Sequence, residues 1–420
     1  MSTLAAARRP ARPRPPLSEA AGVAIASGAD VASRRTFLAA ALAASALPVA
    51  GVFAGGEQRL RVGLVGCGGR GTGAALQAAA ADAAVRIVAL GDLFSDQLAA
   101  SADLLARGIG PQFDCPPARR FVGELAFRDV IDSGVDVVVL ATPPHARPQH
   151  LEAAVAAGCH VYCEKPVAVD VTGVLRAAAA ASRSRAMGLA LVSGFCFRHD
   201  VAMRELVARI QGGAIGRPLA LHAHAAIGLP WRQPPRPGDS AEATRHRNWI
   251  SRAALSGGHF VEHHVEAIDR ALWILGDAEP VVAEPLVSVR GVGDPVPSGD
   301  CPAGTAACYR FADGSTLEAM LERRERPCDR VEEFVVGASG TADLIEAIVG
   351  GMPLAARPGG PGRHRNAMRA LVRGILTGRP VHEGHAMCRS TATAIMGRMA
   401  CDNGRRVAWS EIAAGPSFPA

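Results

Sequence analysis

The stretch from Leu60 to Ala81 constrains the fold more than any other part of the chain. Leu60 to Val65 reads as a short buried strand, Gly66, Gly68 and Gly71 spell GxGxxG, and the alanine-rich run from Thr72 to Ala81 reads as a helix. Strand, glycine turn and helix in that order make a phosphate cradle: Gly66 allows the tight turn, Gly68 lets backbone approach a pyrophosphate, and Gly71 lets helix and strand pack closely. The helix N-terminus then faces the negative charge. The loop expected to touch the nucleotide comprises Gly66, Cys67, Gly68, Gly69, Arg70 and Gly71. A second strand, Val85 to Leu90, ends beside Asp92, where an acid accepts the ribose hydroxyls and repels a 2'-phosphate. The expected cofactor is therefore NAD rather than NADP, with Arg70 the one residue arguing the other way.

The pattern continues downstream. Asp136 to Leu140 (DVVVL) reads as a further buried strand, the loop ATPPHARPQ follows it, and Gln149 to Ala157 reads as a helix. His160 to Cys163 (HVYC) runs straight into Glu164, Lys165 and Pro166. Strands alternating with helices at this spacing predict a doubly wound parallel sheet with ligands at the carboxyl ends of its strands. Lys165 stands at such an end. It is also the single lysine among 45 basic side chains. A position that keeps an ammonium while all the others are guanidinium points to a compact donor whose pKa can shift, which arginine cannot supply.

The first 54 residues read differently. Up to Ser33 they are rich in Ala, Pro and Arg without periodicity, which predicts disorder. Ser33, Arg34, Arg35, Thr36, Phe37 and Leu38 then give a twin-arginine pattern. The apolar run that follows, Ala39 to about Val49, is shorter than the roughly 20 residues of a membrane span, and Val52, Phe53 and Ala54 offer a small-residue cleavage site. The expectation is passage through the twin-arginine machinery to the periplasm or beyond, with no membrane anchor. That route carries folded proteins, so a cofactor can be loaded before export.

Composition excludes other roles. The net charge of +6 is inflated by six arginines against Glu19 and Asp30 in residues 1–54, which leaves +2 for the rest and no support for nucleic-acid binding. Ten cysteines are scattered without a CxxC, as expected of buried thiols. At 420 residues and 49% hydrophobic content, the chain is long enough for two cores.

The second half holds GGHFVEHHVEAIDRALWIL, starting at Gly257. Val261, Val265, Ile268, Leu272 and Leu275 recur at helical spacing, and Glu262, Glu266 and Asp269 fall on the neighbouring face. Three stacked carboxylates repel one another unless an arginine, a hydroxyl-rich substrate or a shared proton uses them. The same stretch spells HxxEH at His259, Glu262 and His263, an inverted zinc-peptidase pattern with Glu332 or Glu333 as third ligand. That reading leaves the nucleotide half idle, and no metal is expected.

GCGGRG, ATPPH, CEKPVAVD, AIGRP and TAIMGRMACDNGRRVAW together resemble the Gfo/Idh/MocA oxidoreductases, and in particular their secreted twin-arginine branch. The resemblance runs from about Leu60 to Trp409. It implies an α/β architecture: a Rossmann domain over residues 59–185, and an α/β domain over 186–420 with a large, mostly antiparallel sheet that serves substrate binding and oligomer contacts. It implies Thr142, Pro143, His145, Glu164 and Lys165 on the cofactor side, with Lys165 beside the nicotinamide and the reacting hydroxyl of a sugar or cyclitol. Relatives place an acid, a histidine four residues on and an aspartate three further. Here these positions are Glu262, Glu266 and Asp269, so the histidine is missing. Glu266 is then expected as general base, raised by Glu262, unless His264 turns in or the chemistry has changed; Glu262 and Asp269 are expected to orient hydroxyls. Alternatives of the same resemblance are a redox-neutral glycosidase and a non-catalytic sugar-binding protein.

Overall fold

The computed structural model describes residues 59–289, 299–325, 330–360 and 362–413. The export pattern and the terminal segment it belongs to lie outside these residues. The described residues belong to one compact unit built around two sheets.

The first sheet comprises β1 (Leu60–Val65), β2 (Val85–Asp92), β3 (Arg120–Val122), β4 (Val137–Leu140), β5 (His160–Cys163) and β6 (Leu191–Ser193). Their order is 3-2-1-4-5-6 and every pairing is parallel, the doubly wound arrangement with its crevice beyond the carboxyl ends of the neighbouring β1 and β4, where the strand order reverses. Helices α1 (Gly69–Ala79), α2 (Ser95–Ile109), α3 (Ala126–Asp132), α4 (Arg147–Ala156) and α5 (Val171–Ala186) make the crossovers. Burial on both faces explains why the central strands are continuous apolar runs: all four residues of β4 are buried. The strand β6 carries this sheet past residue 185, the expected domain boundary, because Leu191–Ser193 pairs with Val161–Cys163.

The second sheet has nine strands in the order β14-β13-β12-β11-β7-β10-β9-β8-β15. Its centre is β7 (Pro218–Gly228), β8 (Pro280–Val289), β9 (Gly304–Phe311), β10 (Thr316–Arg324) and β11 (Arg330–Gly337). Flanking them are β12 (Thr341–Asp343), β13 (Ile348–Val349), β14 (Met352–Pro353) and β15 (Val407–Ala408). The β7–β10 pair is parallel and the other pairs are antiparallel. One face is covered by α6 (Val201–Gln211), α7 (Val265–Ile274) and α9 (Gly384–Asn403), the last buried on nearly every side. Leu221 and Ala223 of β7 point into that layer, and the alternate residues His222 and His224 point to the opposite face.

Helix α8 (Arg363–Leu376) belongs by sequence to the second half yet packs on the first sheet. Ala367, Met368, Leu371, Val372 and Ile375 share one apolar core with residues of β1, β2, α1 and β6. No helix among the described residues is long and apolar enough to cross a membrane.

Candidate active site

The glycine turn has the geometry its sequence demands. Gly66 sits at φ +96°, and a Cβ there would press on the backbone of Ala141 and Thr142 at 2.6 Å. A Cβ on Gly71 would lie 1.8 Å from the Gly66 carbonyl oxygen. Both positions exclude any larger residue. Gly68 and Gly69 face open space, and α1 starts at Gly68 with no side-chain cap, so its first N–H groups are left for an anion. Asp92, the last residue of β2, accepts hydrogen bonds from the N–H of Cys67 at 2.6 Å and of Phe94 at 2.8 Å. Burial raises its pKa. Arg70 turns away from Asp92: its guanidinium lies 3.0 Å from Glu164 and donates to Gln77. The one basic residue of the loop is thus engaged elsewhere, and the acid at the end of β2 is the group left to meet a ribose. These residues fit a dinucleotide of the NAD type.

The ATPPH loop lines the β4 end of the crevice. Thr142 shares a hydrogen bond with His150 at 3.1 Å, Pro143 carries the turn into α4, and the ring and N–H of His145 meet the Leu255 carbonyl. Glu164 is buried between Arg70 and the Tyr162 hydroxyl.

Lys165 emerges next to Glu164 and reaches the helix of the second half. Its ammonium donates to the backbone carbonyl of Glu262 at 2.8 Å, with carboxylate oxygens of Glu266 at 3.5 Å and Glu262 at 4.0 Å. Burial works against its charge, but Glu266, Glu262 and Glu164 outweigh that cost and hold the pKa above the ordinary lysine value. Lys165 is therefore a fixed ammonium donor, not a residue tuned toward neutrality.

The carboxylates divide in the opposite sense to the sequence expectation. Burial pushes Glu262 up to about 7 against the pull of Lys165 and Arg147, and its Oε2 is buried without a hydrogen-bond partner. For Glu266 burial is overcome by Lys165, Arg270 and Arg363, and the pKa falls below its ordinary value. Glu266 is thus a permanent anion, and Glu262 is the group whose proton is labile near neutral pH. Burial at Glu262 and positive charge around Glu266 cause the reversal.

Two expected site residues lie elsewhere. His264 does not turn in. It is buried, bonded to the Ala223 carbonyl of β7 at 2.7 Å, and lowered by burial to about 4. Asp269 is wholly inaccessible: Arg198 clamps it through three contacts of 2.9–3.0 Å and the Ser390 hydroxyl adds another at 2.7 Å. It cannot orient a substrate hydroxyl.

The HxxEH reading also fails. Phe260–His264 is one π-helical turn ahead of α7, so His259 and His263 do not stand one above the other as in an α-helix. His263 accepts from Arg323 at 2.6 Å, Glu333 is paired with Arg270, and Glu332 with Arg330. Among the described residues these donors form no metal-sized cluster.

The structure adds residues that spacing could not reveal. Arg363 and His364 at the start of α8 join the site from 100 residues further on, both contacting Cys196. Arg363 adds to the positive surroundings of Glu266, while His364, lowered by burial to about 4, stands beside it as a neutral imidazole near neutral pH. The only sequence signal was the basic run RHR at the start of that helix.

A doubly wound sheet with a glycine cradle at its first turn and an acid ending its second strand defines a dinucleotide-binding Rossmann fold. The pattern of the oxidoreductase family with an NAD-binding Rossmann fold, Gfo/Idh/MocA, matches residues 60–190. It is 37% identical to inositol 2-dehydrogenase 4 of Saccharopolyspora erythraea over 178 residues, 41% of this chain and 48% of that protein. The chain thus spans about half the length of that curated relative. The fold of the whole is similar to myo-inositol 2-dehydrogenase of Lactobacillus plantarum, with TM-score 0.64, 20% identity and coverage of 83% of this chain and 99% of that one. It is likewise similar to aldose-aldose oxidoreductase of Caulobacter crescentus, with TM-score 0.60, 22% identity and coverage of 83% and 99%.

Proposed function

We propose that the protein is an NAD-dependent oxidoreductase that removes hydride from a secondary hydroxyl of a sugar or cyclitol, with Glu262 as the proton acceptor. The observation that carries this is the triad at the crevice: a charged Lys165 between an ionised Glu266 and a Glu262 pushed up to about 7. Bound NAD would supply the hydride acceptor at Lys165's side of the crevice. Lys165 has three N–H groups, of which one is fixed on the Glu262 carbonyl, so another is available to hydrogen-bond a substrate oxygen. As the hydroxyl is oxidised, its proton passes to the Glu262 carboxylate, whose pKa near the working pH suits that role. Glu266 keeps the ammonium charged. The cyclitol dehydrogenase among the relatives supports the substrate class.

The twin-arginine pattern supports export of this enzyme with its cofactor already bound. A retained cofactor must be restored within each cycle, which favours coupled oxidation of one polyol and reduction of another over exchange of free NADH. The test is to purify the protein without added nucleotide, denature it, and analyse the released small molecule. About one NAD(H) per chain is expected, and mixing the native protein with a panel of inositols and aldoses should change the absorbance of the bound cofactor. Folded protein that releases no nucleotide, and that no polyol reduces when NAD is supplied, would sink the proposal.

A further inference from the structure

The open face of the second sheet carries a second cluster of chemically active side chains, separated from Lys165 by the thickness of the sheet and by α7. His222 and His224 of β7 project from it, and Glu318 of β10 lies directly opposite His222 in the strand register. Oxygens of Glu318 stand 3.6 Å from Nδ1 of His222 and 3.4 Å from Nε2 of His224, and the three donor sites lie within 4.8 Å of one another. These separations do not make hydrogen bonds: Nε2 of His224 is a buried atom with no hydrogen-bond partner. Each histidine–carboxylate distance, to a different oxygen of Glu318, is close to the roughly 3.3–3.6 Å that separates neighbouring ligands of a tetrahedral ion with bonds of roughly 2.0–2.2 Å.

The surroundings hold the donors in that arrangement. The ring of His222 stacks on Phe334 of β11, with centroids 4.5 Å apart and planes 17° from parallel. Two histidines at i and i+2 on one strand, and a glutamate on the next, sit on a rigid sheet, not a loop. Glu332 faces His224 across the β7–β11 pair on the same face and now accepts from Arg330.

From this geometry we infer a site for a borderline divalent transition metal, bound through Nδ1 of His222, Nε2 of His224 and the Glu318 carboxylate. Two imidazoles and one carboxylate are a donor set for zinc rather than for calcium or magnesium, which take oxygen ligands. The fourth position faces solvent, where water or a swung-in Glu332 completes the tetrahedron. The site is independent of the proposed oxidoreductase chemistry, because its ligands and those of the crevice lie on opposite faces of β7.

The experiment uses the full chain with its bound nucleotide, stripped with a chelator and dialysed against zinc alone. Metal analysis should give one zinc per chain, and cobalt(II) in its place should show the intense visible bands of a tetrahedral site. His224→Ala and Glu318→Gln should each weaken zinc binding at least tenfold, with nucleotide content and melting temperature unchanged. His259→Ala should leave zinc binding as in wild type. The inference is overturned if wild type takes up no zinc, if all variants bind it equally, or if His259→Ala is the substitution that abolishes it. Should His224→Ala fold poorly, Glu318→Gln, which keeps the shape of the side chain, decides the matter by itself.

Discussion

Glu262 bears two opposed demands, and its pKa of about 7 expresses both. As proton acceptor it must be ionised, so turnover should rise with pH through about 7 and level off above it. Glu262→Gln should cut the rate by roughly 10²- to 10⁴-fold, read as reduction of bound NAD by a polyol. The same raised pKa has a stability sign. The folded state holds the proton more tightly than the unfolded chain does, so wild type loses stability as pH rises from about 4.5 to about 7. Denaturant titrations across that window should show the loss in wild type and not in Glu262→Gln. Glu266 contributes to raising Glu262, so Glu266→Gln should move the rate limb to lower pH. Lys165→Arg keeps the charge but replaces the compact ammonium with a planar fork, and should lower turnover by at least about 10²-fold while nucleotide stays bound. A Lys165→Arg enzyme as active as wild type would remove the lysine from the mechanism.

At the level of elements, the π-turn ahead of α7 is where local sequence stopped being informative. The 3.6-residue period correctly marks Val261, Val265, Ile268 and Leu272 as core, and all four are buried. It also groups Glu262, Glu266 and Asp269, but α9 covers the lower part of that face, and Arg198, from the turn Cys196–His199, reaches Asp269 first. Periodicity reports which face a residue occupies and not what packs over it. Asp269→Asn is therefore expected to cost about 3–5 kcal/mol in denaturant unfolding, as for a broken buried ion pair, with little change in KM for the polyol. The β-strands of the first sheet were legible for the opposite reason: a strand buried on both faces is an uninterrupted apolar run, and the glycine turn is steric at Gly66 and Gly71. The reversal of the two glutamates was not legible, since it depends on the burial of Glu262 by tertiary packing and on Lys165 and Arg363 reaching Glu266 from distant parts of the chain.

For the molecule as a whole, the two sheets are not separate modules joined at residue 185. Strand β6 extends the first sheet beyond that point, and α8 packs on it from the far end of the sequence. A chain ended at residue 360 should therefore lose its cooperative thermal transition and its nucleotide together. A truncated chain that still melts sharply with NAD bound would show the first sheet to be self-sufficient. The docking of α8 sets a timetable as well as a shape. A ribosome emits the glycine cradle some 300 residues before the helix that closes its flank, so the nucleotide half waits, open on one side, until residues 363–376 have been made. Capture of NAD then becomes a sign of arrival, and a molecule found carrying its cofactor is one in which that late helix has already been made and docked.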